Sequence, residues 1–141
     1  MQKTMVLAGG CFWGVEDLLR KIPGIMDTEV GYAGGQTPHP TYNTVKTGST
    51  GHAEAIEITY DPGQISFSQI LGLFFRMHDP TTRNRQGNDV GSQYRSAIFF
   101  RDADERELAE KAIADENAKG RWKSPLTTTV EELTRFYPAE D

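Results

Sequence analysis

Twice along this chain a short apolar run stops at glycine or Pro-Gly, and an apolar stripe at helical spacing follows. Thr4 to Ala8 ends at Gly9-Gly10 and precedes Val15, Leu18, Leu19 and Ile22. His52 to Tyr60 ends at Asp61-Pro62-Gly63 and precedes Phe67, Ile70, Leu71, Phe74 and Phe75. Short runs closed by turn residues read as strands, and apolar residues three and four apart read as one helix face. Glu16 and Asp17 fall early in the first helix and Arg20 and Lys21 late, as its dipole prefers, and Pro23-Gly24 ends it. Ser66 and Gln69 make a capping box for the second helix. A further strand follows each helix, Ile25 to Tyr32 and Arg95 to Phe100. A charged helix from Asp102 to Lys119, with Leu108, Ala109, Ala112 and Ile113 inside, closes the pattern. Two β-α-β passes predict an α+β fold, a ferredoxin-like split βαβ two-layer sandwich. Its sheet is mixed, with helices on one face.

Two polar loops, roughly 34–51 and 79–92, are longer than connection requires, and such loops usually carry function. The chain has 141 residues, 37% of them hydrophobic and 25% charged. That suits one domain over 1–141, either whole or part of a longer polypeptide. The net charge of −5, with no basic cluster, argues against nucleic acid as partner. No apolar run reaches membrane length. The start, Met1-Gln2-Lys3-Thr4, lacks the pattern of a secretory leader. A cytoplasmic monomer is expected, although removal of a leader would leave the same sequence.

Cys11 is the single cysteine, so no internal disulfide can form. It stands between Gly9-Gly10 and Phe12-Trp13, where the first helix begins. Free N–H groups and the dipole at a helix start favour a thiolate, the reactive form of cysteine. The alternative is a small buried hydrophobe. Phe12 and Trp13 point about 100° apart in a first turn, so one of them is expected beside Cys11 rather than in the core. An apolar wall there suits a small group such as a methyl.

Alternation along the strand from His52 places Glu54 with Ile56, Ile58 and Tyr60, while Glu57 takes the other face. A carboxyl buried on an apolar face favours its protonated form and can donate a proton. The competing reading is a strand-end glutamate that reaches water or pairs with an arginine. Tyr42 and Tyr94 lie in the long loops, where their phenols either donate to a polarised oxygen or cap the core edge. Asp89 follows Gly87-Asn88, which by itself signals a turn. His39, His52 and His78 lack metal-ligand spacing with Cys11, and no metal is expected.

Several blocks taken together resemble the A-type peptide methionine sulfoxide reductases. They are Gly10-Cys11-Phe12-Trp13-Gly14, Pro40-Thr41-Tyr42, Gly51-His52-Ala53-Glu54, His78-Asp79-Pro80, residues 85–96 and the closing stretch from Tyr137. The resemblance implies that Cys11 attacks the sulfur of methionine-S-sulfoxide, free or in oxidised proteins, and is left as sulfenic acid. It implies that Phe12 and Trp13 hold the substrate methyl and that Glu54 protonates the sulfoxide oxygen. It implies that Tyr42 and Tyr94 are the hydrogen-bonding tyrosines and Asp89 the supporting loop aspartate. It implies no bound cofactor, and thioredoxin, or glutathione with glutaredoxin, as external reductant. Many members carry further cysteines beyond the point where this chain ends; either an outside thiol resolves Cys11, or this is a piece of a longer protein. Two other classes remain: a thiol peroxidase, which needs neither Glu54 nor a methyl pocket, and a binding or regulatory domain on the same sandwich.

Overall fold

The structure is a computed structural model that describes residues 2–10, 12–35, 38–48 and 50–139, apart from the side chains of Phe12 and Trp13. In chain order the elements are β1 (Lys3–Gly9), α1 (Phe12–Leu19), β2 (Ile25–Ala33), a short α2 (Tyr42–Val45), β3 (Ala53–Tyr60), α3 (Phe67–Phe74), β4 (Arg85–Gln86), β5 (Asp89–Val90), β6 (Ser96–Phe100), α4 (Ala103–Ala118), β7 (Thr129–Glu132) and β8 (Phe136–Pro138). Among the described residues, six strands form one sheet in the order β7-β6-β1-β3-β2-β8. The central four, β6-β1-β3-β2, are antiparallel, as the split βαβ reading requires, and β7 runs parallel to β6. The sheet is therefore mixed.

Strand alternation sorts the apolar residues onto two faces. Met5, Leu7, Ile56, Ile58, Tyr60 and Ile98 meet Val15 and Leu19 of α1, the apolar stripe of α3, and Ala109 of α4. Val6, Ala8, Ala33, Ala53, Ala55, Ala97 and Phe99 form a thinner cluster on the other face, against Leu133 and Phe136. Small alanines suffice there because chain, not helices, covers that face. The Ser66–Gln69 capping box forms with both reciprocal bonds.

Some expectations change. Helix α1 ends at Leu19, before Pro23, so Ile22 lies in the turn, and Leu18 is 44% exposed. Arg20 and Lys21 sit past its end and pair back to Glu16 and Asp17 at 3.3 and 3.8 Å. Leu108 is also partly exposed, while α4 buries Glu116. The Glu116 carboxylate accepts from the Trp122 indole and pairs with Lys119 and Arg121, so charge neutralisation permits its burial. The 79–92 stretch is not all loop, because β4 and β5 form a small hairpin. The 34–51 stretch contains α2, whose Thr41 and Thr44 cap each other. Among the described residues, no helix is long and apolar enough to cross a membrane.

Candidate active site

One row of side chains crosses the helix-facing side of the sheet at its glycine end. The row before it is wholly apolar: Val30 pairs with Ile56, Ile56 with Leu7, Leu7 with Ile98, and Ile98 with Val130. Two residues along each strand, on the same face, the character turns polar. Tyr32 pairs with Glu54, and Gly9 pairs with Ser96. Extending the antiparallel register from Leu7–Ile56 sets Glu54 beside Gly9, one strand spacing of about 4.8 Å away. Tyr32 is 0%, Glu54 2% and Ser96 2% exposed. The carboxyl expected on the apolar face is therefore there, out of water, next to the glycines that lead into position 11.

Gly9 and Gly10 are glycines for identifiable reasons. A Cβ on Gly9 would come within 2.8 Å of the Phe74 ring and 3.2 Å of the His78 ring. Gly10 has φ +92°, and a Cβ there would collide with the Gln86 side chain. Gln86 in turn holds the main chain of Asp79. Its carbonyl accepts from the Asp79 N–H at 2.9 Å, and its amide donates to the Asp79 carbonyl. Gln86 also pairs through its backbone with Asp89 across the hairpin, so one residue stands between the Gly10 turn and the strand bearing Asp89. Asp89 itself is exposed.

His78 completes the floor. Its Nδ1 lies 2.9 Å from the Phe74 carbonyl, which can only accept, so the ring proton sits on Nδ1. Nε2 then accepts from the Ser96 hydroxyl at 2.8 Å, which leaves that oxygen to accept from the Thr128 hydroxyl at 2.7 Å. The chain thus has one direction, Thr128 to Ser96 to His78 to Phe74. Burial holds the His78 pKa down at about 4, despite the opposing pull of the Phe74 carbonyl and the Asp79 charge. The imidazole is neutral at pH 7.

The tyrosines arrive on two linked segments. Tyr42 opens α2, is 42% exposed, and has the Lys46 ammonium 6.0 Å from its ring centre. Tyr94 ends a 3-10 turn, Ser92–Tyr94, that packs against β3. Gln93 of that turn donates to the Lys46 carbonyl at 2.9 Å and ties the two segments together. Arg95 secures the turn from the other side. Its Nη1 donates to the carbonyls of Ser92 and Gly51 at 2.9 and 3.1 Å. Its Nε and Nη2 form a bidentate pair with Glu131 at 2.9 and 3.0 Å. Burial pushes the Glu131 carboxyl up, but bonds from Arg95 and Thr129 and the guanidinium charge outweigh it and hold it below its usual range. Arg95 thereby joins the segment entering Glu54, the turn bearing Tyr94, and β7. His52 accepts from the Gly35 N–H at 3.1 Å and sets its ring edge-on to Tyr137, which closes the 34–51 loop at its base.

Cys11 and the side chains of Phe12 and Trp13 lie outside the described residues; the backbone of α1 begins at Phe12. Tyr32, Ser96, Thr128, Gln86 and the Arg95–Glu131 pair had no assigned role in the sequence reading. Ser96 carries a usable signal, a lone hydroxyl two residues before Ile98 on an otherwise apolar strand face. Tyr32 carries none, since it reads as an ordinary strand aromatic. A cleft of about 470 Å³ between Ile22, Pro23, Ile65, Leu73, Arg76 and Lys119 contains none of the row residues. Among the described residues, no three His, Asp or Glu side chains converge to hold a metal ion.

The fold and site define an α+β domain with a buried acid and hydroxyl donors grouped about a glycine-made strand-to-helix turn. The chain belongs to the peptide methionine sulfoxide reductase family, whose model matches residues 3–141, and is an oxidoreductase that reduces methionine sulfoxide. It is 54% identical over 138 residues to peptide methionine sulfoxide reductase MsrA of Mycobacterium sp. (strain JLS), covering 98% of this chain and 78% of that one. Reduced Mxr1 from Saccharomyces cerevisiae superposes with a TM-score of 0.91 at 37% identity, covering 99% of this chain and 81% of that one. Mxr1 in complex with Trx2 gives a TM-score of 0.70 at 29% identity, covering 96% and 79%.

Proposed function

We propose that Cys11 attacks the sulfur of methionine-S-sulfoxide, free or in oxidised proteins, while Glu54 in its protonated form gives a proton to the sulfoxide oxygen. A sulfoxide oxygen leaves sulfur poorly until it is protonated, and attack builds negative charge on it. Donors aimed there bind the transition state better than the substrate. Tyr42 and Tyr94 donate to the same oxygen, Asp89 supports that side of the site, and Phe12 and Trp13 enclose the methyl. In balance, the substrate sulfur gains the electron pair and becomes a thioether, and Cys11 ends as S–OH carrying the transferred oxygen. The observation that carries this reading is Glu54, 2% exposed and one strand from Gly9.

The catalytic unit is one domain over 1–141, acting as a cytoplasmic monomer without a bound cofactor. Reduction of the sulfenic acid comes from an external thiol. Thioredoxin, or glutathione with glutaredoxin, fills that role, and the Mxr1–Trx2 complex supports thioredoxin.

The test supplies each sulfoxide epimer and hydrogen peroxide separately, with dithiothreitol as reductant. Consumption of the S epimer alone is expected, because only that hand sets methyl, oxygen and sulfur toward their three partners. Equal use of both epimers would remove the pocket assignment. Faster turnover of peroxide than of sulfoxide would move the chain to the thiol peroxidases.

A further inference from the structure

We propose that Met26 is an oxidation site of this protein, and that its sulfoxide is reduced by the active site of a second copy of the same chain; this rests on the reductase chemistry proposed for Cys11. The methionines differ sharply in access. Met5 is 2% exposed and Met77 packs against the main core, whereas Met26 is 53% exposed. The ladder register also skips at Met26: Ile25 pairs with Tyr60 and Asp27 with Thr59. The residue is bulged out of the pairing, which re-aims its side chain and loosens the strand around it.

The outer edge of β2 is open at this point. Strand β8 pairs only with Gly31–Ala33, and Ala139 adds one bond at Val30. Among the described residues, nothing pairs with the outer side of Met26 to Glu29. A second protein can therefore approach the thioether along an extended segment, as it would approach an oxidised peptide.

Geometry rules out repair by the same molecule. Strands β1 and β2 run in the same direction, each antiparallel to β3. Met26 thus lies near the end of the sheet where Lys3 pairs with Tyr60, while the site lies at the end where Tyr32 pairs with Glu54. Met26 and Tyr32 are six strand steps apart, about 20 Å at ~3.3 Å per residue.

The chemistry balances in three steps. A peroxide gives one oxygen to the Met26 thioether and leaves water. The Cys11 thiol of a second molecule takes that oxygen, restoring the thioether and becoming S–OH. Two equivalents of external thiol then return Cys11 to the thiol, releasing water and a disulfide. Peroxide produces both sulfoxide epimers, and one enzyme removes one of them. Repeated exposure therefore leaves the unrepaired epimer on Met26.

The experiment oxidises the full-length Cys11→Ser variant with hydrogen peroxide, follows each methionine by peptide mass spectrometry, and removes the peroxide. A catalytic amount of wild-type protein is then added with dithiothreitol and free methionine-S-sulfoxide in the same tube. The expected result is faster oxidation at Met26 than at Met5 or Met77, followed by loss of about half of the Met26 sulfoxide. Consumption of the free sulfoxide with the Met26 sulfoxide untouched would overturn the proposal while sparing the reductase chemistry. Equal oxidation of Met5, Met26 and Met77 would overturn it as well. Failure to consume either sulfoxide would overturn the reductase chemistry and this proposal with it.

Discussion

Tyr32 and Glu54 face each other across β2 and β3, on the helix side of the sheet, and both are withdrawn from water. An apolar row underlies them and Gly9 flanks Glu54, so the carboxyl is fixed where a sheet face gives way to the active-site turn. Its closest isostere keeps the size and removes the transferable proton. Glu54→Gln should slow single-turnover reduction by roughly 10²–10⁴-fold, the usual worth of a positioned proton donor. Rapid-quench measurement of methionine formation reads this directly, and a loss below threefold would take Glu54 out of the proton transfer.

The Gly10 turn should be intolerant of a methyl group. Gly10→Ala places a side chain at φ +92° and against Gln86. Strained backbone costs on the order of 1–3 kcal/mol, and the collision adds to it. Adding Gln86→Gly, which removes both the Cγ and the Cβ that the new methyl would meet, should recover the collision part but not the backbone part. Thermal unfolding of both single variants and the double variant separates the two, since independent sites would give additive losses.

Acid should weaken the fold through His78. Its pKa falls from 6.5 to about 4 on folding, so the unfolded chain binds the extra proton between those values. Stability is therefore full above pH 6.5 and lost as pH falls toward 4. At ~1.4 kcal/mol per unit, the loss between pH 7 and 4.5 is about 2–3 kcal/mol. Glu131, whose carboxyl is held below its ordinary 4.5, begins to lose its contribution only below that value, so the decline above pH 4.5 belongs to His78. Urea unfolding at pH 7, 5.5 and 4.5 should show the decline, and a His78→Gln variant should flatten it.

The Arg95–Glu131 pair offers a test of how the loops are held. Arg95→Lys keeps the charge but cannot make the bidentate pair while also reaching Ser92 and Gly51. A stability loss of about 1.5–3 kcal/mol is expected, the worth of a lost hydrogen bond to a charged group. Slower single turnover should accompany it, because both Glu54 and Tyr94 adjoin the segments that Arg95 joins. Chemical denaturation with the same rapid-quench assay checks both effects.

Much of this architecture was legible because local signals and tertiary pairing agree. Thr4 to Ala8, the Ser66–Gln69 box and the alternation through Glu54 each specify an element and a face. Misreadings arose where tertiary context overrides periodicity. Leu18 and Leu108 keep helical spacing, yet both stay partly in water at the edge of the core. The hairpin at Arg85–Val90 is too short to leave a period. Strands β7 and β8 are edge strands read off neither composition nor alternation, because their pairing with β6 and β2 is set by the rest of the sheet. The polar row was half visible. Glu54 stands out among apolar neighbours, whereas Tyr32 and Thr128 acquire meaning only when strand register sets them beside Glu54 and Ser96.

A reaction without any reductant asks whether Cys11 is the group that takes the oxygen. With the S epimer in excess, each protein molecule should release one methionine and then stop, because the chain holds no second cysteine to reset the first. Intact mass should show one added oxygen located on Cys11, and Cys11→Ser should release none. Methionine released by Cys11→Ser, or a wild-type burst well beyond one equivalent, would contradict Cys11 as the single reacting thiol.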